Sequence, residues 1–132
     1  MAPKIQSLDH LVLTVSDLQA TIDFYEAALG MTPQSFAAGG GKQRRALSFG
    51  QQKINLHQAG AEFEPKATRP TPGSADLCFL SETPVADWLA HWESLDLPVL
   101  EGPVDRTGAQ GRLVSVYLRD PDGNLIEVSN RA

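Results

Sequence analysis

The sequence contains a single cysteine, Cys78, so no disulfide can close within the chain. With Leu77 and Phe79 on either side, that thiol reads as a small core filler and not as a nucleophile. No apolar run approaches the roughly 18 to 20 residues that a membrane-spanning helix needs, and "MAPKIQSLDH" lacks the apolar centre of a secretory signal. The expectation is a cytoplasmic protein without membrane contact. Basic blocks are missing too: eleven Lys and Arg stand against sixteen Asp and Glu, the net charge is −5, and a nucleic-acid backbone is not an expected partner.

What the sequence does have is enough apolar material for a real core, 42% of 132 residues, which fits one domain over residues 1–132. Its patterning repeats. "DHLVLTV" alternates like a strand, Ser16 stands where it can cap a helix over "DLQATIDFYEAAL", and Leu18, Ile22, Tyr25 and Leu29 fall at helical spacing before Gly30. Short extended segments follow in "TPQSFA", "RALSFG" and "KINLHQ". The second half opens with the strand "ADLCFLS". Thr83 and Pro84 then start a helix whose stripe is Val85, Trp88, Leu89, Trp92 and Leu95, and "PVLEGPV", "LVSVYLRD" and "NLIEVS" come after it. Asp17 and Pro84 stand at the same offset as Glu26 and Glu93, which predicts one βαβββ unit used twice. Module 1 covers about 5–58 and module 2 about 75–130. The Pro- and Gly-rich stretch 59–74 is a connector long enough to allow exchange of modules between chains. "DPDGN" near the end is a hairpin turn; a calcium loop would need a longer segment closing on Glu.

Strand parity selects the candidate chemistry, because residues two apart share a face. His10 shares its face with Val12 and Thr14, His57 with Asn55, and Glu127 with Leu125 and Ser129, while aliphatic side chains fill the opposite faces. Asp76, with Cys78 and Leu80, occupies the corresponding strand of module 2. Two imidazoles and a carboxylate form a recurrent ligand set for a divalent transition metal, Zn, Ni, Fe or Mn, and leave positions open for substrate. Taken singly, each is an ordinary structural or solvated residue. His91, on the polar side of the second helix, is read as solvated.

With these features, "LDHLVLTVSDLQATIDFYEAALGM" and "YLRDPDGNLIEVSN" resemble the vicinal oxygen chelate superfamily, which includes glyoxalase I, bleomycin-resistance proteins and extradiol dioxygenases. The middle of the chain looks particularly like the glyoxalase domain-containing protein 5 group and its bacterial relatives. The resemblance implies an α+β fold in which two βαβββ modules form a curved, partly open mixed sheet around a metal. It also implies His10, His57 and Glu127 as metal ligands. Glyoxalase I commonly has His on the fifth strand and Glu on the fourth, where this chain has Asp76 and His57, so lactoylglutathione chemistry does not carry over.

The leading expectation is a metal-dependent lyase or isomerase of glyoxalase type that chelates neighbouring oxygens of a small substrate. Glu127 and Asp76 are the candidate bases. Arg44, Arg45, Lys66, Arg69 and Arg106 are read as loop cations. Arg106, in "DRTGAQG", is favoured to bind substrate, with Phe49 and Tyr117 as apolar walls. The rivals are an Fe(II) extradiol-type dioxygenase and a metal-free protein that binds a drug or metabolite. A homodimer is expected.

Overall fold

A computed structural model describes residues 2–132. The chain divides into two compact units, one up to Thr71 and one from Pro72, with the boundary inside the predicted connector. Each has the order strand, helix, three strands. The first unit holds β1 (His10–Val15), α1 (Leu18–Leu29), β2 (Thr32–Ala37), β3 (Gln43–Phe49) and β4 (Gln52–Gln58). The second holds β5 (Asp76–Leu80), α2 (Val85–Ser94), β6 (Glu101–Gly108), β7 (Gly111–Arg119) and β8 (Leu125–Arg131). Both sheets have the same mixed topology, β1-β4-β3-β2 and β5-β8-β7-β6, in which the first and last strands of a unit pair in parallel and the other pairs are antiparallel. The fold is α+β, as expected.

In the first unit, Leu13, Val15, Leu47, Ile54 and Leu56 project from one face of the sheet and are buried with Ile22, Tyr25 and Ala28 of α1. The predicted helical stripe is displaced: Thr21 and Ala28 are buried where Leu18 and Leu29 are only partly so. The cap also differs from Ser16, because the Asp17 carboxylate accepts from Ala20 N at 3.0 Å. Gly30 ends the helix in the left-handed region (φ 69°), and its N–H returns to the Glu26 carbonyl.

In the second unit, Trp92 of α2 is buried with Val116, Leu118, Ile126 and Val128 of the two inner strands, while Leu95 is exposed. The predicted local start at Thr83 and Pro84 is completed from a distance, since Asn130 Oδ1 on β8 accepts the Val85 N–H at 2.8 Å. "DRTG" is not a loop but the second half of β6, and Arg44 and Arg45 lie on β3, so these arginines are strand residues. Gly102 sits at a register shift in β6 with φ 114°, where an added Cβ would come 2.5 Å from the Ser115 carbonyl oxygen.

Candidate functional site

Each sheet has an aliphatic face, which carries the core described above, and a mixed face. On the mixed face of the first sheet, β4 presents Lys53, Asn55 and His57, with His10, Val12 and Thr14 beside them on β1 and Arg44, Ala46 and Ser48 on β3. His57 is almost fully buried. Arg44 Nη2 donates to His57 Nε2 at 2.9 Å, which uses the lone pair of that nitrogen and puts the imidazole proton on Nδ1. Burial, and then the Arg44 charge, hold the His57 pKa below its ordinary value, with Glu62 and Glu64 opposing the shift. His10 is half exposed, and its Nδ1 lies 2.8 Å from Asp9 Oδ1. Phe49 shares the face of Leu47, opposite to His57. The expectation that it walls the site is corrected, since alternation turns it toward the helix side.

The mixed face of the second sheet lines a cavity of about 410 Å³, within the range of small-molecule sites. Cys78, Leu80, Leu113 and Glu127 contribute from β5, β7 and β8, with Arg106 and Arg131 and the β6–β7 turn completing it. Three residues singled out from the sequence meet here. Arg106 Nε donates to the Tyr117 hydroxyl at 2.8 Å, its Nη2 reaches Glu101, and Glu127 is the partner of Tyr117 across β7–β8 on the same face. Burial pushes the Tyr117 pKa up and the Glu127 charge adds to this, while Arg106 pulls it down. Tyr117 is thus a polar link and not an apolar wall. Ser129 joins Glu127 (3.3 Å), Ser115 (2.7 Å) and Cys78 (3.3 Å) into one chain of hydrogen bonds. Cys78 is exposed and lines the cavity, so the expectation of a core filler is corrected, its side chain standing on the mixed face of β5; desolvation raises its pKa. Asp76 stands on the same face, one alternation before the Cys78–Glu127 pair, at the exposed start of β5.

Residues 7–128 match the Glyoxalase/Bleomycin resistance protein/Dioxygenase superfamily. The chain belongs to that superfamily. Among its relatives, virulence protein STM3117 of Salmonella typhimurium is 57% identical over 95% of this chain and 84% of that protein. Glyoxalase domain-containing protein RDO1 of Mycosarcoma maydis is 55% identical over 96% of this chain and 69% of that protein. The structure of an integron cassette protein from V. cholerae superposes with a TM-score of 0.94 at 57% identity, covering 100% of both chains.

Members of this superfamily often use divalent metals, so the donor geometry matters. The β1–β4 register sets His10 opposite Lys53 and His57 opposite Thr14. The two imidazoles share a face but are four residues apart, about 13 Å along the strands at about 3.3 Å per residue. Ligand nitrogens must lie about 2.0–2.1 Å from one ion. The β4 residues nearest His10 on this face are Lys53 and Asn55, an ammonium and a neutral amide, and a guanidinium already holds His57 Nε2. The first unit therefore does not supply the predicted pair of imidazoles to one metal. Among the described residues, no group of three or more His, Cys, Asp or Glu within either unit is placed to hold an ion.

Sequence reasoning passed over Ser115 and Arg131 and the specific position of Arg44, and it placed Asn55 and Ser129 on their faces without giving them a role. Arg44 was visible only as one cation among five, because nothing local sets it opposite His57.

Proposed function

We propose that this chain is a metal-independent small-molecule-binding member of the superfamily, and that the cavity on the second sheet takes an oxygenated organic anion. The observation that carries this reading is a cavity lined by Arg106 and Glu127, with apolar walls at Leu80 and Leu113 and with Arg106 fixed by the Tyr117 hydroxyl. Arg106 is held in place by Tyr117 and Glu101 and offers its remaining N–H groups to a carboxylate. Glu127, held by the Ser129 hydroxyl behind it, is the acceptor for a ligand hydroxyl.

A second reading, turnover with Glu127 as base, is favoured by one feature: a carboxylate in a ligand-sized cavity beside a fixed guanidinium. The metal-dependent lyase and the Fe(II) dioxygenase each need His10 and His57 on one ion, and the β1–β4 register speaks against both. We further infer a homodimer, because Val12 and Leu80 leave apolar side chains exposed on the mixed faces and each sheet has two open edges.

Calorimetric titration with small carboxylates tests the binding reading. Arg106→Gln is expected to weaken affinity at least about tenfold, or ~1.4 kcal/mol, and unchanged affinity refutes the assignment. Glu127→Gln separates the two readings: lost turnover with retained binding selects the enzyme. Elemental analysis of protein purified without chelator is expected to find substoichiometric Zn, Ni, Fe and Mn. A full equivalent that disappears in His57→Ala would restore the metal-dependent reading.

A further inference from the structure

We propose that the mixed face of the first sheet binds a small hydroxylated carboxylate, centred on Arg44. Its guanidinium carbon lies 4.8 Å from the Phe63 ring centroid and 5.7 Å from that of Phe36, and Nη2 is tied to His57. The group is thus held from three sides while N–H donors on Nη1 and Nη2 stay available. Two more cations stand over the same rings, Lys53 Nζ 4.3 Å from Phe36 and Lys42 Nζ 5.9 Å from Phe63.

Among the described residues, neither Arg44, Lys42 nor Lys53 is in an ion pair with a carboxylate. Of the two acidic groups that act on His57, Glu64 pairs with Lys66, while Glu62 accepts from Gly60 N and remains the one nearby carboxylate without a cation bonded to it among the described residues. Three cations converging on two aromatic rings, none of them in a direct ion pair, outnumber the one nearby unpaired carboxylate and are suited to an oxyanion.

A second observation gives the ligand its other group. Asn55 stands on the same face, one alternation from His57, and is 5% exposed, yet its Oδ1 has no hydrogen-bond partner; Arg44 Nε is likewise buried without one. A buried amide oxygen lacking a donor calls for an O–H beside the anion. The ligand class is therefore a carboxylate carrying a hydroxyl, with the carboxylate on Arg44 and the lysines and the hydroxyl on Asn55.

The residues named here belong to the first unit and those of the cavity to the second, so substitutions in each unit test the two assignments apart. Glycolate, acetate and inorganic phosphate are titrated into the intact protein while the ring ¹⁵N resonances of His57 are followed. Glycolate is expected to move them at concentrations at least about tenfold lower than acetate. Asn55→Leu is expected to erase that preference. Arg44→Gln is expected to weaken all carboxylate binding at this face, and Arg106→Gln to leave it unchanged. His57 resonances indifferent to glycolate in the unmutated protein overturn the proposal without relying on the folding of any variant. Equal response to glycolate and acetate, or a phosphate response that exceeds glycolate and survives Asn55→Leu, overturns the hydroxylated-carboxylate assignment.

Discussion

His57 shows how one side chain acquires a role through what surrounds it. An imidazole on a half-buried strand must satisfy two nitrogens, and here a guanidinium takes the lone pair of one. Both burial and Arg44 disfavour the charged form, so the unfolded chain binds a proton on this residue more readily than the folded one. Stability should therefore be unaffected by His57 above its ordinary pKa of 6.5 and fall as the pH drops below that value, until the lower folded pKa is passed. Urea midpoints measured between about pH 7 and pH 5 are expected to decline less steeply in His57→Gln. A variant with the same slope as the parent would remove His57 from the account.

At the scale of elements, the long-range contact that matters most is Asn130 on β8. Its amide accepts the first N–H of α2 and donates to the Ser81 and Thr83 carbonyls at 2.9 and 2.8 Å, doing from 45 residues away what a local cap does for α1. Asn130→Ala is expected to cost about 2 kcal/mol, read as a lowered denaturation midpoint, with the loss concentrated in faster amide exchange at the start of α2. This residue also marks the limit of what the sequence discloses. Alternation and helical spacing located both helices and the strands, except that the second half of β6 was read as a loop, and parity correctly put Asn55 with His57 and set Glu127 opposite Ile126. Register between strands distant in sequence is set by packing and closure of the whole sheet, so the pairing of His10 with Lys53 was not legible. Arg106 was read as a loop residue because Gly108 and Gly111 in "DRTGAQG" look like turn signals, whereas β6 runs to Gly108 and only the two residues before Gly111 turn.

At the scale of the molecule, the net charge of −5 conceals an asymmetry. Up to Thr71 there are seven Lys and Arg against six Asp and Glu; from Pro72 there are four against ten. The acidic balance belongs to the second unit, so the cations around Arg44 belong to a unit with no excess of acid to screen them. Light scattering is expected to return twice the mass of the 14.3 kDa chain. Val12→Lys with Leu80→Lys is expected to shift the population toward monomer, and a parent protein that is monomeric at all accessible concentrations contradicts the inferred dimer.

The parallel pairing of β5 with β8 has a consequence for how the chain is made. β5 leaves the ribosome early and has no hydrogen-bonding neighbour in its sheet until β8 follows, and β8 lies between β5 and β7. The β6–β7 hairpin can form locally, but the rest of that sheet waits for one late segment, which also carries the cap of α2. A nascent chain stalled before "NLIEVSN" would expose an orphan strand and an uncapped helix together, the kind of surface that chaperones hold and proteases remove.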